Sequence, residues 1–249
     1  MHHRRTDLKS EHNRCAYKAE KLRHKDVIVI TEGMVHFYLL LGKTKNLLID
    51  TGLGTSNLKK YVLEICNTPI VVANTHGHYD HVSADGQFEK IYANRKDWKR
   101  IQQNANVDET NLVALNSGDV FDLGNRQIEV TEVPGHTPGS LLFFDKKFKC
   151  LFCGDYVSDK TVFVDFEDSS LEEYINSMKI ILSKKSEVDT LLGCHGQVLQ
   201  EFKQAEYLKE CAELALKREI HPSIECAYDG TNRTKYSFKT ASIYGPKDI

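Results

Sequence analysis

The chain has 249 residues, of which 41% are hydrophobic and 27% charged, and its formal net charge is −2. That length supports a full core in one or two domains, and the balance is that of an ordinary globular protein. A near-neutral charge supplies no basic stripe for nucleic acid, and no stretch reaches the roughly 18 apolar residues of a membrane span.

Residues 1–24 are rich in Lys, Arg and His and weakly patterned, and read as a basic tail. Met1-His2-His3-Arg4-Arg5 is charged but no apolar stretch follows, so it does not read as a secretory signal, and His2 and His3 belong to the solvated tail. Residues 25–249 read as one domain. Apolar runs predict strands over 26–32, 35–41, 46–50, 69–74, 127–133, 140–145, 149–153 and 189–192, with a short strand near 90–92. Helical spacing appears near 55–66 (Leu58, Tyr61, Val62, Ile65), near 94–104, and over 170–184 (Leu171, Tyr174, Ile175, Met178, with Ile181 or Leu182). Ser169 or Ser170 followed by Glu172 or Glu173 has the form of a helix start. A further helix over 199–219 carries Phe202, Ala205, Leu208, Ala212, Ala215 and Leu216. After His221-Pro222, a hairpin is expected from 223–228 and 235–241 around Asp229-Gly230, an edge extension spanning 222–249. Alternating strands and helices define an α/β class.

The segment His76-Gly77-His78-Tyr79-Asp80-His81 packs three imidazoles and a carboxylate into six residues. These side chains hold zinc and other borderline metals. His76 and His78 are two apart, so on an extended strand end they point the same way. Asp80 and His81 are adjacent, as suits a turn leaving the strand. Three more candidates occupy glycine-flanked loops next to predicted strands: His136 in Pro134-Gly135-His136-Thr137-Pro138-Gly139-Ser140, Asp155 in Gly154-Asp155, and His195 in Gly193-Cys194-His195-Gly196. Glycine permits the tight backbone that a metal cage requires. A balanced sharing gives His76, His78 and His136 to one ion and Asp80, His81 and His195 to a second, with Asp155 bridging. Each ion keeps an open position, the catalytic pattern. Asp50, at a strand end in Ile49-Asp50-Thr51-Gly52, reads as the acceptor that fixes the tautomer of a ligand imidazole.

The seven cysteines are odd in number and show no disulfide framework, which points to a reducing cytoplasm. Cys150 and Cys153 fall on opposite faces of a strand and read as packing residues, as does Cys194. His36 and His221 read as structural. No GxSxG elbow supports Ser140 as a nucleophile.

Leu48-Ile49-Asp50-Thr51-Gly52, the HxHxDH segment, the His136 loop, Gly154-Asp155 and Gly193-Cys194-His195-Gly196 together resemble the metallo-β-lactamase superfamily, in its order and with its usual gaps. The match covers about residues 26–200 and is most similar to the glyoxalase II-like hydrolases. The resemblance implies an αββα sandwich, two mixed β-sheets flanked by helices, with the metals at one edge between the sheets. It implies two divalent ions, zinc first, with manganese or iron also accommodated. A hydroxide shared by the ions would cleave a thioester, ester or lactone of a small molecule, with Asp80 orienting the nucleophile. The expected partner is a small-molecule substrate, neither nucleic acid nor membrane.

Departures narrow the substrate. Where family members continue the HxHxDH with Gly-Gly, this chain has Val82-Ser83-Ala84-Asp85-Gly86. Glyoxalase II carries an aromatic after its last ligand His and a basic C-terminal cluster for glutathione; here Gly196-Gln197-Val198 follows, without such a cluster. Zinc β-lactamases most often place Cys where Asp155 stands and are exported. Lactonases carry a Tyr a few residues after the bridging Asp, whereas Tyr156 is directly adjacent. Persulfide dioxygenases use one iron and a Gly/Arg/Thr/Asp-type stretch that Tyr156-Val157-Ser158-Asp159-Lys160 does not match. An inactive metal-binding member would not need all seven side chains.

Overall fold

The computed structural model describes residues 16–23 and 25–247. Seven strands form the first sheet in chain order: β1 (Tyr17–Leu22), β2 (Val27–Glu32), β3 (Val35–Leu40), β4 (Asn46–Ile49), β5 (Ile70–Ala73), β6 (Ile91–Ala93) and β7 (Leu112–Ala114). β1 to β4 pair antiparallel, and β4 to β7 run parallel. The second sheet comprises β8 (Val120–Asp122), β9 (Gln127–Glu132), β10 (Leu141–Asp145), β11 (Cys150–Phe152), β13 (Thr190–Leu192) and β14 (Leu199–Gln200), in the order β14-β13-β11-β10-β9-β8. A third sheet joins β12 (Val162–Phe163) to β17 (Ala241–Tyr244), β16 (Asn232–Phe238) and β15 (Ser223–Cys226). The helices are α1 (Leu58–Ile65), α2 (Tyr79–Val82), α3 (Trp98–Asn104), α4 (Leu171–Ser183) and α5 (Phe202–Leu216).

The central strands are apolar on both faces because both faces are covered. Val27, Val29, Tyr38, Leu40, Leu47 and Ile49 face Ile128, Val130, Leu141, Phe143 and Phe152 in the core between the two large sheets. Ile30, Leu39, Leu48 and Val72 pack outward against Leu58 and Val62 of α1 and Ile101 of α3. Leu142, Phe144 and Leu151 pack against Leu171, Tyr174 and Met178 of α4 and Leu208 and Ala212 of α5. The layers therefore run helix, sheet, sheet, helix. Ser170 caps α4 by accepting from Glu173 N at 3.2 Å, and the expected stripe is buried, with Ile181 inward.

Three expectations are corrected. The basic tail does not extend to residue 24: Tyr17–Leu22 is a strand paired with β2, anchored by Tyr17, whose hydroxyl donates to Ser56 O at 2.9 Å and whose ring lies 6.2 Å from that of Phe37. His2 and His3 lie outside the described residues. A third sheet adjoins the two of the sandwich, because the C-terminal segment is more than a hairpin. Its second strand breaks at Lys239 (φ 54°), which turns the chain so that β17 returns along β16 and bonds β12. Finally, 199–200 is the edge strand β14, and the helix begins at Phe202.

Each candidate side chain follows the carboxyl end of a strand: Asp50 after β4, His76 to His81 after β5, His136 after β9, Asp155 after β11 and His195 after β13. Gly135 sets one of these loops. It has φ 135°, and a Cβ there would lie 2.3 Å from Tyr174 N of α4. Gly135→Ala is expected to cost more than about 1 kcal/mol of stability, read as a lower urea midpoint at unchanged slope; an unchanged midpoint would show that the His136 loop relaxes freely.

Candidate metal centre

The HxHxDH segment leaves β5 extended, and at Tyr79 it coils into the single turn of α2. Thr75 N and Thr75 Oγ1 both donate to the Asp50 carboxylate at 2.7 Å. With its hydroxyl proton so committed, Thr75 Oγ1 accepts from His76 Nδ1 at 3.0 Å, which leaves His76 Nε2 a bare lone pair. His136 Nδ1 donates to Phe163 O at 2.6 Å, which leaves its Nε2 bare. That Nε2 lies 3.2 Å from His76 Nε2 and 3.0 Å from His78 Nδ1. Burial, chiefly, holds all three imidazoles below the ordinary histidine range, and their mutual proximity adds to this for His76 and His78. Three imidazole nitrogens are thus aimed at one point, an arrangement suited to sharing a cation.

The second group is richer in carboxylate. His81 Nδ1 donates to Asp50 Oδ2 at 2.9 Å, and its Nε2 faces Asp155 Oδ1 at 3.3 Å and Asp80 Oδ2 at 3.7 Å. His195 Nδ1 donates to Met34 O at 3.2 Å, and its Nε2 faces both Asp80 Oδ2 and Asp155 Oδ2 at 3.2 Å. Asp155 Oδ2 also stands 3.7 Å from His136 Nε2, so this carboxylate touches both groups. Burial lowers the basicity of His81 and His195, but the adjacent carboxylates outweigh it and raise both, His195 to about 10. Burial opposes ionisation of Asp155, and His195 and His81 overcome it, holding that carboxyl well below its usual range.

The structure brings all seven candidates together. Donor atoms of His76/His78/His136, of His76/His81/Asp155 and of Asp80/His81/His195 lie within 4.8 Å of one another in each group. His78 Nε2, His81 Nε2 and Asp155 Oδ1 are buried without a hydrogen-bond partner. Buried orphans are rare in native proteins, and His81 Nε2 and Asp155 Oδ1 face each other across the second group. The donor set fits divalent metal ions. Asp50 sits behind His81, with Cys194 Sγ at 3.8 Å. Burial pushes the Cys194 thiol up, so it donates as S–H.

Other residues lie elsewhere. His36 bonds Thr31 Oγ1 and Gly196 O, both at 2.9 Å, and His221 is exposed. Tyr156 is buried under the His136 loop, donating to Val133 O and accepting from His136 N, so it faces no substrate. Cys150 joins the core between the sheets and Cys153 the core under α4, on opposite faces. The six cysteines among the described residues are free.

Sequence reasoning missed the carboxylates that hold these loops. Asp97 precedes α3 but does not cap it. Its Oδ2 accepts from Gly77 N and Thr137 Oγ1 at 2.7 Å, and its Oδ1 from Gly139 N at 2.9 Å, tying the HxHxDH loop to the His136 loop. The signal was Gly139, where a Cβ would lie 2.6 Å from Asp97 Oδ1. Asp85 accepts from Asn74 Nδ2 at 2.6 Å and bonds Thr51 Oγ1 at 2.8 Å.

Two His/Asp groups at one edge of a helix-sheet-sheet-helix sandwich define a metal-dependent hydrolase. The chain belongs to the metallo-β-lactamase superfamily, whose pattern matches residues 30–195. It is 25% identical to human acyl-coenzyme A thioesterase MBLAC2 over 187 residues, covering 59% of this chain and 67% of that protein. It is also 25% identical to hydroxyacylglutathione hydrolase GloC of Haemophilus influenzae over 190 residues, covering 69% and 90% of the two chains. A solved metallo-beta-lactamase from Pontibacter korlensis superposes with a TM-score of 0.69 at 18% identity, covering 79% of this chain and 99% of that one, a likeness of fold alone. Among the described residues no helix is long and apolar enough to cross a membrane.

Asp85 yields a pH prediction. Burial raises its pKa to about 8 against the opposing bonds of Asn74 and Thr51. A carboxyl whose folded pKa is raised stabilises the fold below its unfolded pKa, and that contribution is lost as pH rises toward the folded value. Unfolding free energy should therefore fall by up to roughly 1 kcal/mol per pH unit between about pH 4 and pH 8. Asp85→Asn, which keeps both hydrogen bonds without the ionisation, should flatten the slope; urea titrations across that range check it.

Proposed function

We propose that this protein is a dinuclear hydrolase that cleaves a small-molecule thioester. The observation that carries the reading is the convergence of five imidazoles and the carboxylates of Asp80 and Asp155 at one edge of the sandwich. In this assignment His76, His78 and His136 hold one ion, Asp80, His81 and His195 the other, and Asp155 both. Imidazole with carboxylate suits zinc first, and manganese or iron also. When bound, the ions supply the Lewis acidity and the acidified water that hydrolysis requires.

The residues of the chain do the rest. Asp50 and Thr75 fix the tautomers of His81 and His76, so that each presents a lone pair inward. Asp80 Oδ2, beside His195 Nε2, orients the attacking water. Thioester cleavage is favoured because the relatives of this chain include a coenzyme A thioesterase and a hydroxyacylglutathione hydrolase.

Protein purified without chelator should carry about two ions per chain by elemental analysis. Asp155→Ala should lose metal and activity together, whereas Asp50→Ala should cost about 10–100-fold in activity or affinity. A stoichiometry held near one in added Zn or Mn, or greater damage from Asp50→Ala, would overturn the assignment.

The thiol half should matter little, since no basic cluster follows His195. A hydroxyacyl thioester of glutathione and one of a smaller thiol should differ by less than about 100-fold in kcat/KM, or roughly 2.7 kcal/mol. A larger preference would reveal a glutathione site.

A further inference from the structure

The third sheet places a run of aromatic rings between the metal centre and the surface. The Phe166 ring lies 4.5 Å from that of His78 and 6.0 Å from that of His136. Phe163 stacks on Phe166 at 5.9 Å, and Tyr228, from the β15–β16 turn, meets Phe163 edge-on at 5.6 Å. The Tyr228 hydroxyl lies near that of Tyr79 on α2 and near the carboxylates of Asp80 and Asp155. The rings thus run from two proposed ligands to the mouth of the site.

Charge pairs hold this wall in place. The Arg233 guanidinium covers Phe163 at 4.9 Å and Phe166 at 5.4 Å. It bonds Asp165 at 2.8 Å, beside Phe166, and Asp229 at 2.7 Å, beside Tyr228. Arg100 pairs with Asp168 at the other end of the Phe166 loop. Both arginines are thereby neutralised, so the wall presents apolar faces and no unpaired guanidinium. Across the mouth, Met34 sits on the β2–β3 turn that carries the carbonyl partner of His195. Among the described residues seven large hydrophobics are exposed, and three of them, Met34 (71%), Tyr79 (46%) and Tyr228 (62%), lie beside residues of the metal centre. Exposed apolar side chains scattered singly mean little, but grouped beside the metal centre they offer an apolar contact surface.

We propose that Tyr228, backed by Phe163 and Phe166, is a specificity-determining contact for an unbranched apolar acyl chain whose carbonyl lies at the metal centre. This rests on the thioester-hydrolysis reading. The acyl half is the one assigned to the wall because the thiol half of a biological thioester is polar and charged, and this wall offers it no unpaired cation. A chain lying on preorganised rings is bound without ordering the protein.

The test compares octanoyl and acetyl thioesters of one small thiol on metal-loaded wild type, Tyr228→Ala and Tyr228→Phe. Calorimetry of the matching non-hydrolysable S-octyl and S-methyl thioethers provides a binding readout. Wild type is expected to favour octanoyl at least about tenfold in kcat/KM, the effect of burying about two methylenes. Tyr228→Ala should lower the octanoyl value about tenfold more than the acetyl value, through KM, and weaken S-octyl binding to match. Tyr228→Phe should keep most of the preference because the ring remains. Equal losses on both substrates, or a preference that Tyr228→Ala leaves intact, would overturn the assignment. If no thioester is hydrolysed, the hydrolysis reading falls by itself: the wall stands where S-octyl binding is still about tenfold weaker in Tyr228→Ala, and falls where binding is equal.

Discussion

The carboxylate of Asp50 is the point on which the site depends. It is fully buried and its backbone is left-handed (φ 65°), a conformation that costs a non-glycine residue on the order of 1–2 kcal/mol. What holds it there is a set of donors from separate elements: Thr75 N and Oγ1 at the end of β5, His81 Nδ1 on α2, and Cys194 Sγ after β13. Of these only the His81 imidazole can carry charge, and Asp80 and Asp155 crowd its other side. No lysine or arginine pairs with any of these three carboxylates among the described residues. Only the His81 and His195 imidazoles then balance this buried negative charge, which costs several kcal/mol per ion where it is left uncompensated. Divalent cations held by these side chains would relieve that cost in place of the imidazole protons.

The topology makes this concentration possible. Ligand sites in α/β sheets form beyond the carboxyl ends of strands. Here β4, β5, β9, β11 and β13 all end at one edge of the sandwich, and each hands its loop a candidate side chain. A second layer of carboxylates then fixes the loops to one another. Asp97 joins two of them through backbone N–H groups, and Asp85 joins the Thr51 turn to Asn74. Hydrogen bonds to rigid backbone allow less motion than bonds between long side chains, so the imidazole positions are set before any ion arrives.

How much of this was legible depended on how local each signal was. Helix α4 carried its cap at Ser170 and its buried stripe within fifteen residues, and it folds as read. The HxHxDH segment and the glycine-flanked His136, Asp155 and His195 were legible because metal chemistry restricts residue type and spacing together. Strand β1 was not, since only Tyr17 is buried and Lys18, Glu20 and Lys21 leave no alternating face. The role of Asp97 was hidden because a carboxylate before a helix reads as a cap. The turn at Asp229-Gly230 was legible, but its landing place was not. That is set by Arg233 reaching Asp165, 68 residues away, and by β17 pairing in parallel with β12.

That last distinction separates chemistry from specificity in this chain. The segment that matches the superfamily pattern runs from residue 30 to 195 and contains every candidate ligand and Asp50. Tyr228 and Arg233 lie beyond them, on strands and a turn that dock through contacts of their own. The metal centre is constrained by the coordination demands of the ions and tolerates little change. The rim meets no such demand, since its rings need only present apolar surface and be held in place. Specificity is therefore expected to be set in the third sheet and not in the cage.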